Sequence, residues 1–235
     1  MSDHRLPPAR GVFLITGASS GIGAATARSA AQEGHRLVLA ARSTSALQEL
    51  ADELGGSERA IAVTCDVTDF AQQEAMVQSA LDAFGQIDVV FANAGFGAKR
   101  GFLEETPELW REMVLTNVLG CAYTIRATIP ALKQSAGHLL LTSSVAGRRA
   151  LSGSLYSATK HAVTAMAEAA RQDLDGTGIR VTSIEPGMVS TPFFDNPVKD
   201  ALEADDIARA VLYAVSQPPH VNVNEILIRP VSQST

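Results

Sequence analysis

Short runs of Val, Ile and Leu alternate with longer stretches of helical period along almost the whole chain, and this alternation restricts the fold more than any other feature. Residues 11–15, 36–40, 60–65, 87–92, 138–142, 180–184 and 225–228 read as strands. Helices are predicted over 22–33, 44–54, 70–84, 107–131, 156–174 and 206–216. Gly34, Gly55-Gly56 and Gly85 stop three of them, and Thr106-Pro107 supplies a cap and a first-turn proline for a fourth. Continuous apolar strands separated by helices call for a parallel sheet covered on both faces. Short connections and right-handed crossovers then lead to a doubly wound, Rossmann-like α/β sheet. The 235 residues suit one such domain, expected over 11–235, since no long linker, repeat or low-complexity tract interrupts them. Residues 1–10 carry charge and two prolines without an apolar run, so they read as a flexible N-terminal segment and not as a secretory signal.

The first strand runs into Thr16-Gly17-Ala18-Ser19-Ser20-Gly21-Ile22-Gly23 and then a helix. Ser19 stands where the GxGxxG fingerprint has its second glycine, so the pattern is TGxxxGxG. The physics is similar: Gly17, Gly21 and Gly23 allow a tight turn and close approach of the backbone, and the helix N-terminus offers unpaired N–H groups to phosphate. An ordinary glycine-rich strand–helix turn has the same composition, but its place in the first βα unit favours a dinucleotide site. Ala41 occupies the end of the second strand where a ribose-binding acid would be expected, and Arg42 follows it. A guanidinium can bind a 2'-phosphate through paired hydrogen bonds, which favours NADP(H) over NAD(H); the alternative is a solvated loop arginine.

Tyr156 and Lys160 stand at i and i+4, on one face of a helix, with Ser143 upstream. A phenol titrates near 10 and is a poor proton shuttle at neutral pH. A fixed cation favours the phenolate; bringing it to roughly 7 takes about 4 kcal/mol. Such a pair alone is commonly surface decoration. The five His residues are scattered without ligand spacing, so no metal site is expected. A net charge of -6 argues against non-specific nucleic-acid binding, and no apolar run approaches the ~20 residues of a membrane span. Cys65 and Cys121 lack CxxC spacing and read as reduced thiols of a cytoplasmic protein.

Taken in order, TGxxxGxG, Asn93-Ala94-Gly95, Asn117, Ser143, Tyr156-x-x-x-Lys160 and Pro186-Gly187 resemble the short-chain dehydrogenase/reductase family over essentially the whole chain. The resemblance implies an NADP(H)-dependent oxidoreductase that moves a hydride, pro-S on the nicotinamide, between the cofactor and a ketone, aldehyde or secondary alcohol. It makes Tyr156 the general acid/base, Lys160 its tuning cation and ribose ligand, and Ser143 the partner of the substrate oxygen. Asn117 would interrupt its helix and anchor a water leading to Lys160. The cofactor site would draw on Gly17, Ser19, Ser20, Gly21, Ile22, Gly23, Arg42, Asp66, Val67, Asn93, Ala94 and Gly95. Pro186, Gly187, Val189 and Thr191 would border the nicotinamide.

Three segments are expected to choose the substrate: Phe96 to Phe102, Val145 to Leu155, and the stretch after Pro186 with Met188, Phe193, Phe194 and Asn196-Pro197. Their Phe and Met residues favour apolar carbonyl compounds, or pack the loops onto the core. The tail from His220 to Pro230 resembles the subgroup that includes serine and 3-hydroxy acid dehydrogenases. An acid substrate would need a cation, for which Arg148, Arg149, Lys99 and Arg100 are candidates, although such loop charges are more often solvated. The small residues Ala158, Ala162, Ala165, Ala169 and Ala170 allow close helix approach, either within one chain or between copies; similar proteins pair these helices as homodimers or homotetramers. A non-catalytic cofactor sensor is the rival from another class; the intact Asn117, Ser143, Tyr156 and Lys160 set speaks against it.

Overall fold

A computed structural model describes residues 11–191 and 199–233. The expectation for residues 1–10, and those for Phe193, Phe194, Asn196 and Pro197, lie outside the described residues. β1 (Val12–Thr16) leads to α1 (Gly21–Gln32), β2 (Arg36–Ala41) to α2 (Thr44–Glu53), and β3 (Ala60–Thr64) to α3 (Phe70–Phe84). β4 (Val89–Ala92) is followed by α4 (Pro107–Val114) and α5 (Cys121–Ser135), and β5 (His138–Thr142) by α6 (Leu155–Asp173). The chain continues through β6 (Arg180–Pro186), β7 (Val189–Ser190), β8 (Leu202–Glu203), α7 (Ala204–Ser216) and β9 (Glu225–Ile228).

Seven strands form one parallel sheet in the order β3-β2-β1-β4-β5-β6-β9. The chain leaves β1 toward β2 and β3, then returns to add β4 on the other side of β1. Loops leaving the C-terminal ends of β1 and β4 therefore diverge and open a crevice, the usual ligand site of such sheets. Because both faces are covered, the strands alternate between two apolar clusters. Leu14, Val38, Val90, Leu139 and Leu141 pack under α3, α5 and α6. Phe13, Ile15, Leu37, Phe91 and Leu140 pack under α1, α2 and α7. Each fully buried side chain of this size contributes about 1.5–3 kcal/mol relative to exposure.

The predicted helix over 107–131 is broken. Between α4 and α5, Leu115–Gly120 widens into a π-helical turn containing buried Asn117. β7 and β8 pair through two residues each, too few to leave a pattern in the sequence. α7 begins at Ala204, two residues before the expected start, because Glu203 and Asp206 form a reciprocal capping box there.

Candidate active site

The crevice starts at the glycine turn after β1. Gly17 has φ +66 and lies against β4's exit: a Cβ there would come 2.9 Å from Ala94 Cα. A Cβ on Gly23 would stand 2.2 Å from the Gly17 carbonyl oxygen, so α1 can begin this close to the turn only with glycine. Gly21, φ +52, faces Thr191 across the crevice, 3.3 Å from Cβ to Cβ if a side chain were added. Ser20 is the N-cap residue of α1, but its side chain makes no capping hydrogen bond, and Ser19, Ser20 and Ile22 are all partly or fully exposed. Asn93 seals the floor. Its Nδ2 donates to Thr16 O at 3.2 Å, its Oδ1 accepts from Thr142 Oγ1 at 3.1 Å, and its N–H and that of Ala94 both donate to Thr16 Oγ1. One amide side chain thus joins the ends of β1, β4 and β5.

On the β2 side, Arg42 is exposed just beyond the strand, and the first turn is docked beside it by Ala18 N–H donating to Ala40 O at 3.1 Å. Asp66 follows β3, its carboxylate accepting from the N–H and hydroxyl of Thr68. Buried Val67 packs against the π-turn, where a Cβ on Gly120 would meet its Cγ2 at 2.8 Å. Gln73, fully buried on α3, donates to both Val67 O at 2.7 Å and Gly120 O at 2.9 Å. Sequence reasoning passed over Gln73; a glutamine in the fourth position after the α3 cap carries no signal of burial.

Asn117 uses its side chain to hold the loop after β4. Oδ1 accepts from Phe96 N–H at 3.0 Å, while Nδ2 donates to Phe96 O at 2.8 Å and Thr159 Oγ1 at 3.1 Å. Gly95 lies beside it, with Lys160 Nζ 3.7 Å from where a Cβ would be. Lys160 is buried, 4% exposed, and its ammonium donates to Thr142 O at 2.7 Å. Burial pushes that ammonium down to about 8. Tyr156 lies one turn earlier on α6, its ring centroid 5.7 Å from Lys160 Nζ. Burial pushes the phenol up to about 12, and a hydrogen bond with Ser144 works in the opposite direction. In the protein alone burial and the Ser144 hydrogen bond act on the phenol, while the ammonium is itself desolvated and is held at the end of β5.

The serine assignment also changes. Ser143 Oγ is buried, donates to Lys160 O at 3.0 Å and lies 2.7 Å from Thr164 Oγ1. Gly147 closes over it; a Cβ there would stand 2.4 Å from Ser143 Oγ. The neighbouring Ser144 is the serine hydrogen-bonded with Tyr156, and its hydroxyl also donates to Pro186 O at 3.2 Å. Strand alternation gives the reason. Leu139 and Leu141 face the α6 side, so Ser143 continues that row into α6, while Ser144 turns toward the crevice.

Beyond β6, Gly187 N–H donates to Ile228 O at 2.7 Å and Met188 N–H to Gln233 Oε1 at 3.0 Å, which fixes the segment from Pro186 to Val189. Arg148, a candidate partner for an acidic substrate, is committed elsewhere. It grips buried Glu185 through Nε and Nη2 at 2.7 and 2.8 Å and also pairs with Glu225. Lys99, Arg100 and Arg149 remain exposed. Among the described residues no group of His, Cys, Asp and Glu could hold a metal ion, and no helix is long and apolar enough to cross a membrane.

A family model described as short chain dehydrogenase matches residues 11–201. An uncharacterized oxidoreductase of Staphylococcus saprophyticus is 40% identical over 227 residues, spanning 94% of this chain and 97% of the relative. Serine dehydrogenase from Escherichia coli superposes with a TM-score of 0.86 at 34% identity, over 95% of this chain and 100% of that one. An alcohol dehydrogenase from the archaeon Thermococcus sibiricus, complexed with 5-hydroxy-NADP, superposes with a TM-score of 0.87 at 32% identity, over 96% of this chain and 99% of that one.

Proposed function

The chain belongs to the short-chain dehydrogenase family, and from that premise we propose an NADP(H)-dependent oxidoreductase that interconverts small ketones or aldehydes and secondary alcohols. The observation that carries this reading is the convergence of Ser144, Tyr156 and Lys160 at the C-terminal edge of the sheet, beside the glycine turn. The crevice suits a dinucleotide: Gly17 and Gly23 leave backbone where any side chain would collide, and the N-terminus of α1 opens beside them. Gly17, Ser19, Ser20, Gly21, Ile22 and Gly23 would take the pyrophosphate. Asp66 and Val67 would border the adenine, and Asn93, Ala94 and Gly95 would form the floor. Pro186, Gly187, Val189 and Thr191 would border the nicotinamide. Exposed Arg42 beside the first turn supports NADP(H), and the NADP derivative bound to the archaeal relative agrees with it.

When bound, the cofactor supplies or accepts the hydride. Tyr156 would donate a hydrogen bond to the substrate oxygen as its charge grows and deliver the proton, and Ser144, turning its single hydroxyl proton away from Pro186 O, would donate a second. Lys160 would leave Thr142 O to hold the ribose hydroxyls and favour phenolate in the oxidative direction. Asn117 would keep the π-turn open beside Lys160 so that a water can restore the proton. Neutral, largely apolar carbonyl compounds fit best, since Arg148 is neutralised by Glu185 and Glu225.

The serine dehydrogenase relative favours a second reading, oxidation of serine-like or 3-hydroxy acids, with Lys99, Arg100 or Arg149 receiving the carboxylate. A cofactor sensor without turnover would leave the Tyr156–Ser144 arrangement without use. We assign the working enzyme to one catalytic domain in the cytoplasm, where buried Cys65 and Cys121 remain thiols, and to a homodimer or homotetramer. The test is NADPH or NADH oxidation with cyclohexanone, acetophenone and ethyl acetoacetate, and NADP reduction with serine and 3-hydroxybutyrate. Turnover of ketones with NADPH supports the reading; activity confined to the acids selects the second, and none on either panel the sensor. Tyr156→Phe should abolish turnover while leaving NADPH binding within a few-fold; residual full activity would remove Tyr156 from its role.

A further inference from the structure

We propose that Arg148 and Glu185 are positioning residues that fix the Ser144 hydroxyl between Tyr156 and the end of β6, an inference that rests on the role of Ser144 above. Glu185 lies in β6 with its side chain 1% exposed, a place where a carboxylate persists only if it is fully paired. Its Oε1 accepts from Ser183 Oγ at 2.9 Å and Arg148 Nη2 at 2.8 Å, and its Oε2 accepts from Arg148 Nε at 2.7 Å. Two parallel N–H···O bonds fix both the distance and the plane of the pair. Arg148 ends the single turn that Ser144 begins: Gly147 N–H donates to Ser144 O at 2.8 Å, and Arg148 N–H to Val145 O at 2.9 Å. Glu185 directly precedes Pro186, whose carbonyl accepts the Ser144 hydroxyl.

The fork therefore spans the same gap as the Ser144–Pro186 hydrogen bond, one residue away on β6 and one turn away on the loop. Ser143 N–H donating to Ile184 O at 2.8 Å aligns the two strands below, and the Arg148 fork ties the far end of the turn to β6. Ala146 N–H donates to Ser144 Oγ at 3.1 Å, so the hydroxyl is oriented by the turn that Arg148 anchors. Glu225 on β9 accepts from the same guanidinium and also pairs with Arg171 on α6 at 3.6 Å, extending the brace to the helix that carries Tyr156. A residue that sequence reading offers as a substrate ligand thus acts on the serine beside the substrate.

The test is a double-mutant cycle on kcat, using NADPH and the fastest ketone of the panel above. Arg148→Lys keeps the charge that Glu185 needs but replaces the fork with a single point. Expected is a roughly tenfold lower kcat with the NADPH dissociation constant within twofold, and less than a twofold further effect of Arg148→Lys in the Ser144→Ala background. A crystal structure of Arg148→Lys should show Ser144 Oγ displaced from Pro186 O. An unchanged kcat, or the same fold-loss in both backgrounds, would overturn the inference. If Arg148→Lys does not fold, Glu185→Gln carries the same cycle with the same two outcomes. Ser144→Ala with full activity would overturn the Ser144 reading and this inference with it; loss in Ser144→Ala without loss in Arg148→Lys or Glu185→Gln overturns this inference alone.

Discussion

Lys160 is held in a place that costs stability. It is 4% exposed, and burial lowers its pKa to about 8 from the 10.5 of a free lysine. Between those values the unfolded chain binds the proton that the folded chain has lost, so stability rises with pH across that window. Below about pH 8 the full penalty is present, roughly 3 kcal/mol for a shift of this size. Tyr156 works the other way. Its folded pKa is raised to about 12, so its contribution is present below about 10 and is lost as pH climbs toward 12. Lys160→Met is therefore expected to raise the thermal midpoint at pH 7 by several degrees while abolishing turnover, measured by calorimetry and by NADPH oxidation on one sample. A lower midpoint would mean that the ammonium stabilises the fold. Arg42 presents the opposite case, an exposed residue whose only proposed use is a ligand. Losing a charge-assisted hydrogen bond to phosphate costs about 1.5–3 kcal/mol, so Arg42→Ala should raise KM for NADPH by roughly 10- to 100-fold and leave KM for NADH nearly unchanged. Equal effects on both would remove Arg42 from phosphate recognition. The pairing of Tyr156 with Lys160 was legible because it is written in a single i, i+4 spacing. Ser144 was not, because choosing between adjacent serines requires knowing which face of β5 α6 covers. The pairing of Arg148 was not legible for a related reason: its partner Glu185 is 37 residues away and becomes a buried carboxylate only when β6 enters the sheet.

Elements were legible where the apolar pattern alone decides them. The seven sheet strands sit within two or three residues of their predicted places because continuous apolar runs must be covered on both faces. The π-turn at Leu115–Gly120 was not legible from periodicity, since its residues keep the helical pattern and only the hydrogen bonding widens. Its end is held by side chains from outside the turn. Gly120 O accepts from Gln73 Nε2 at 2.9 Å and Thr124 Oγ1 at 3.0 Å. Gln73 also satisfies Val67 O, so one buried amide links the segment after β3 to the turn that carries Asn117. Replacing it with leucine removes a donor from two buried carbonyls while keeping the volume. Gln73→Leu should lower stability by about 1–3 kcal/mol, read as a shift in the urea midpoint, with a loss of turnover larger than any loss of NADPH binding. If the midpoint is unchanged, the two carbonyls have found other donors and the link is dispensable.

At the scale of the molecule, the sheet explains where ligand chemistry resides but leaves one face of the helical layer unsatisfied. A groove lined by Phe70 of α3, Ile125, Ile129 and Pro130 of α5, and Met166 and Ala169 of α6 runs across this layer. Ile125, Ile129 and Met166 pack inward on the core yet stay partly exposed, as helix residues do when a second layer is expected to cover them. Glu74, Arg126 and Asp173 also line the groove, so charges of both signs are available to a second copy of the same surface. Ala170 is buried in the core cluster and serves packing within the chain, whereas exposed Ala169 leaves room for a helix of a second copy. A copy docked on this groove would pack against α6, the helix that carries Tyr156 and Lys160. Ala169→Arg places a cation and a long chain at the centre of the groove, where a well-packed contact typically carries about 2 kcal/mol or more. Sedimentation velocity should give at least twice the chain mass for the parent and a monomer for Ala169→Arg. The monomer's kcat should fall and its NADPH affinity should fall less. A parent that sediments as a monomer would refute the pairing, and an Ala169→Arg variant that stays a dimer would move the interface to another face of the molecule.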